Sequence, residues 1–177
     1  YDSFLASVKA RQSVSRPRRL SVTEYRNTLR AVVGFELEVD VIEAEQTVTE
    51  RSMVVKLLPT DPPGKSGFKN DTHQNPLTTL SGDRYTYLTE AVVEELFSLH
   101  RQSELSGFVG PIRHDQVTPR QAFELAKEFT RRAFRRSVTA EDVELIRRSL
   151  AEKSGEPLVS ELKRYLKATL MSPRFMY

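Results

Sequence analysis

A mainly α fold, a small bundle of about five helices, follows from three features of the sequence. Apolar residues recur at helical spacing in one segment after another. Three segments open on a capping box: Ser21 with Glu24, Thr118 with Gln121, and Thr139 with Asp142. In that pattern each of two side chains, three residues apart, accepts the other residue's backbone N–H at the start of a helix. The remaining feature is a long stretch rich in proline and glycine, 59–77, which suits neither helix nor sheet.

The elements run as follows. Phe4, Leu5 and Val8 predict a short amphipathic helix ending near Arg11, and the basic, proline-containing QSVSRPRRL reads as a solvated connector. From Ser21, Tyr25, Leu29 and Val32 or Val33 form one apolar face, and Gly34 is a stop signal. Phe35, Leu37, Val39 and Val41 alternate with acids, the pattern of a half-buried strand, and 47–58 is either its hairpin partner or a helix. Beyond the long loop, a helix capped by Ser81 or Asp83 carries Tyr85, Leu88, Val92, Leu96 and Leu99 on one face.

Gly107, Gly110 and Pro111 then mark a loop. Thr118 caps the next helix with Pro119 at its first position, and Ala122, Leu125, Ala126, Phe129, Ala133 and Phe134 face inward. Val143, Ile146 and Leu150 give the following helix its stripe, with Gly155 as its end. The last helix uses Leu158, Leu162, Tyr165, Leu166 and Leu170 and closes at Pro173. The organisation this predicts is a tail helix and linker over 1–20 and an N-terminal lobe over 21–100. A linker over 101–117 and a three-helix lobe over 118–177 complete it.

Hydrophobic content of 38% with 29% charged residues fits a globular chain rather than a disordered one. The net charge of +3 favours acidic partners only weakly. No run approaches the roughly 18 apolar residues of a membrane span. The absence of cysteine excludes a disulfide framework, a thiolate zinc site and a Cys-x-x-Cys-His haem attachment in this segment. Opening on Tyr1 in a helical pattern, the sequence reads as an internal slice of a longer protein.

Candidate site residues are few. Asp61, Asn70 and Asp71 offer oxygens in the long loop, but they lack EF-hand alternation and Lys65 and Lys69 oppose a cation, so no metal site is assigned. Arg131, Arg132, Arg135 and Arg136 gather at a helix end, where the macrodipole favours cations, as candidates for an interface or an anion. Acids Glu124, Glu128, Glu141, Asp142 and Glu144 stand within reach in sequence, and this predicts a solvated helix pair rather than a nucleic-acid reader. His73, His100 and His114 share no metal-ligand spacing, Met53, Met171 and Met176 read as packing residues, and no catalytic residue is identifiable. Tyr25, Phe68, Phe129 and Phe134 are expected to be structural.

Three separated motifs carry a resemblance. RRLSVTEYRNTLRAVVG, the stretch from LPTDPPGKSGFKND to RYTYL, and FTRRAFRRSVTAEDVELI with LKATLMSPRFMY resemble the large cytochrome-associated proteins of planctomycetes, verrucomicrobia and myxobacteria. Those proteins string together domains of unknown function, usually after a c-type cytochrome domain. The resemblance implies export beyond the cytoplasmic membrane; with no cysteine to attach it here, a c-type haem belongs to a neighbouring domain and no cofactor is expected in this segment. It also implies neighbouring domains as partners, a c-type cytochrome or other subunits among them. This chain departs from the family in three places: Gly67-Phe68-Lys69-Asn70 replaces the usual Gly-Phe-Asp-Asn, 35–56 is longer, and the connection from Leu99 to Thr118 is shorter. The expected function is a non-catalytic structural and interaction module. The alternatives are part of a haem-dependent oxidoreductase whose redox centre lies elsewhere, or a basic nucleic-acid-binding domain.

Overall fold

The computed structural model describes residues 18–39, 51–61, 79–151 and 154–177. The helix expected over Tyr1–Arg11, the middle of the 35–58 stretch and most of the long loop, with Phe68, Asn70, Asp71 and His73, lie outside the described residues. The fold is mainly α. Eight α-helices appear among the described residues: α1 Val22–Val33, α2 Met53–Leu57, α3 Thr79–Leu96, α4 Gln102–Val109, α5 Pro119–Phe134, α6 Ala140–Leu150, α7 Gly155–Met171 and α8 Pro173–Met176.

All three capping boxes form. The Glu24 N–H donates to Ser21 Oγ at 3.3 Å while Glu24 Oε2 accepts the Ser21 N–H at 2.9 Å. The pairs Thr118–Gln121 and Thr139–Asp142 repeat this reciprocal bonding at the starts of α5 and α6. Gly34 ends α1 at φ 91°, a left-handed conformation that glycine adopts without steric cost. Arg135 ends α5 at φ 53° despite its side chain.

α5 is the hub, packing against α1, α4, α6, α7 and α8, while α7 also lies along α3. Its stripe of Ala122, Leu125, Ala126, Phe129 and Ala133 is fully buried. Phe134 is half-buried against the core. Phe129 stacks on Phe108 at 5.9 Å between ring centroids. One continuous apolar cluster runs from Leu20 to Met176, so the segments on either side of 101–117 share a single core.

Several expectations need correction. The stretch read as a linker carries α4, and Leu105 and Phe108 are buried because they plug the face of α5. Leu99 is 77% exposed, since α3 stops at Leu96 and a 3₁₀ turn, Leu99–Arg101, redirects the chain. Ser81 and Asp83 lie inside α3 rather than capping it. Gly155, at φ 61°, opens α7 rather than ending α6. Val143 is only half-buried and Met171 is exposed. Where the sequence leaves 47–58 open between a hairpin partner and a helix, the described residues show an antiparallel bridge from Glu38 to Ser52 followed by the helix Met53–Leu57, and 40–50 lie outside the described residues.

Candidate functional site

The basic end of the connector is not solvated. Arg18 grips Glu24 through two hydrogen bonds of 2.7 and 2.6 Å. Arg19 is buried, and its Nη2 donates to Asp61 Oδ1 at 2.5 Å. Arg19 Nη1 donates to Tyr85 Oη and to the Leu20 carbonyl, each at 2.9 Å. Asp61 also accepts the Val22 N–H at 2.6 Å, which supplies an anion to the positive end of α1. A guanidinium so far from water is stable there only because carboxylate, phenol and carbonyl oxygens meet its N–H groups. These pairings outweigh burial and raise the pKa of Arg19.

Aromatic rings enclose this ion pair. Tyr25 meets Tyr85 edge-on at 4.9 Å and Phe175 at 5.7 Å. Burial pushes the Tyr25 and Tyr85 hydroxyls up, so both remain neutral phenols. Tyr25 Oη is buried with no hydrogen-bond partner among the described residues. The Leu20 N–H donates to the Met176 carbonyl at 2.9 Å, which seats α8 on this cluster. Asp61, read from sequence as a loop oxygen for a cation, is thus brought to Arg19 and the start of α1. Asn70 and Asp71 lie outside the described residues.

A second hub forms at Asp142. Arg136 binds it with two hydrogen bonds of 2.7 and 3.2 Å, and Arg174 adds one of 3.2 Å from α8. Asp142 also completes the α6 capping box. The Arg136 guanidinium, with burial opposing and Thr139 assisting, holds the carboxyl down to about 2. Arg136 and Arg174 both face the Phe134 ring, at 5.3 and 5.9 Å. Beside this hub α6 and α7 enclose an open cleft of about 400 Å³ whose walls include Leu145, Tyr165 and Ala168.

The four candidate arginines therefore divide. Arg131 and Arg132 both clamp Glu128, at 2.7 and 2.8 Å. Arg132 also donates to the Gly107 carbonyl and lies 4.1 Å over the Phe108 ring, tying α5 to α4. Arg136 goes to Asp142, and Arg135, exposed at the helix end, makes no ion pair among the described residues. Their guanidiniums do not converge on one point. Three of the four are engaged by acids within the fold rather than directed at water alone. Among the described residues no group of three or more His, Cys, Asp or Glu is placed to hold a metal ion. His100 sits on the surface against Glu95 at 2.7 Å.

The Arg19 hub is what sequence reasoning missed. Its signal was present: RRLS, LPTD and RYTYL stood out as motifs, and their meeting point is this buried cluster.

What fold and site define is a mainly α domain whose buried charges join helices. Within it, residues 18–98 carry a PSD3 domain, described as a protein of unknown function (DUF1587), and this span holds Arg19, Tyr25, Asp61 and Tyr85 together. No curated protein and no solved structure matches the chain.

Proposed function

We propose that this chain is a non-catalytic structural and interaction module of a larger, extracytoplasmic, cytochrome-c-linked polypeptide. One observation carries the non-catalytic part. Arg19, Asp61 and Asp142, its buried charged side chains among the described residues, are each held by two or more groups of the fold. A general acid, base or nucleophile must instead present its reacting atom to a substrate. The cytochrome link and the extracytoplasmic setting rest on the resemblance of the three sequence motifs.

The test uses the full-length polypeptide that contains this segment. It is expected to show c-type haem absorbance, and to keep its redox turnover when Arg131 and Arg135 are both replaced by Ala. Lack of that absorbance overturns the cytochrome link. Loss of turnover with helix content intact overturns the non-catalytic assignment.

A further inference from the structure

We infer that the PSD3 span, residues 18–98, is a binding half rather than a self-standing domain, and that the partner it recognises is the helical segment α5–α8 of the same chain. Among the described residues, α1 and α3 are the long helices of the span. They approach α5 and α7 respectively more extensively than they approach each other. Tyr25 of α1 and Leu88 and Leu96 of α3 have no exposed surface, and Leu162 and Leu166 of α7 are buried in the same apolar cluster. Without α5–α8 the span would turn two apolar helix faces to water, the signature of an interface rather than of a finished domain.

Two devices fix how the partner seats. The first is an aromatic anchor. Phe175 has no exposed surface and meets Tyr25 edge-on at 5.7 Å, and beside it the Met176 carbonyl accepts the Leu20 N–H at 2.9 Å. A helix of four residues has no stability of its own, so α8 holds its shape only against these neighbours. The second device is a charged rim that sets register. Lys163 donates to Glu94 at 2.6 Å, and Lys167 donates to Glu90 and Glu94 at 3.1 and 3.0 Å. The two lysines are one turn apart on α7 and the two acids one turn apart on α3, in reverse order. A slip of α7 by one turn therefore leaves one lysine and one acid unpaired. Lys163 also lies 5.4 Å over the buried Phe97 ring. A buried aromatic anchor inside a polar rim is how separate proteins recognise each other.

A protease recognition sequence inserted into the full chain between His114 and the exposed Asp115 tests this, with the cut made after folding. It leaves α1–α4 in one piece and α5–α8 in the other. The two pieces should elute as one particle with unchanged circular dichroism. Lys163→Glu with Lys167→Glu should weaken their association by about tenfold, while the uncut chain with the same changes stays folded. Adding Glu90→Lys and Glu94→Lys should restore the association. In the chain without the insertion, Phe175→Leu should speed amide exchange in α1 as much as in α8. Pieces that elute apart overturn the proposal, as does a cut pair indifferent to the lysine reversals. So do four reversals that restore nothing, or amide exchange in α1 unmoved by Phe175→Leu.

Discussion

Arg19 and Tyr25 are neighbours in one buried cluster, yet their polar groups have opposite fates. Arg19 is met on several sides, so Arg19→Ala takes the guanidinium from the buried Asp61 carboxylate and should cost about 3–5 kcal/mol, read as a shift in the urea midpoint. The Tyr25 hydroxyl is buried without a partner among the described residues, and removing it leaves the two ring contacts in place. Tyr25→Phe should therefore be neutral or stabilise by about 1 kcal/mol. A loss above 1 kcal/mol in the same titration would show that the hydroxyl is bonded in solution. Sequence spacing identified Tyr25 as a core residue. Spacing carries nothing about Asp61, whose partners Arg19 and Val22 lie 42 and 39 residues away and become neighbours only through the fold.

At the level of elements, legibility followed the range of the interactions. The starts of α1, α5 and α6 were readable because a capping box is closed within four residues. α4 was not, because Gly107, Gly110 and Pro111 outweigh two apolar residues in any local count. Burial of Leu105 and Phe108 against α5 overrides that weak propensity. Hydrogen bonding from the Gln102 side chain to the Ile112 carbonyl fixes the turn that follows. Leu105→Ala should accordingly cost about 2–5 kcal/mol in thermal or chemical denaturation, where a linker residue would cost almost nothing. The arginine run of α5 was legible as a helix end, but its attachment to α4 through the Phe108 ring and the Gly107 carbonyl was not.

For the whole molecule, the shared core bears on cooperativity. A single apolar cluster links α1, α3, α5 and α7, so near- and far-ultraviolet circular dichroism should report one coincident unfolding transition. Two separated transitions would support the two-lobe division that the sequence suggests. Acid should act on the whole body as well. Glu24 and Glu128 are lowered from 4.5 to about 2 by Arg18 and Arg131 first, and Asp142 from 3.8 to about 2 by Arg136 first. Folded values below unfolded ones mean that the stabilisation is complete above the ordinary values and disappears as pH falls toward 2. Urea titrations across that window should show stability falling with pH, and Asp142→Asn should flatten the slope without abolishing it.

The hydrogen bond from Leu20 to Met176 has a mechanical consequence. Leu20 and Met176 are held side by side by this bond, so a force pulling those two residues apart loads it first, as a pull on a clasp does. Tension applied between Leu20 and Met176 would peel α8 away from α1 one contact at a time, instead of shearing the bundle along its length. The clasp would yield under load well before the helices beneath it.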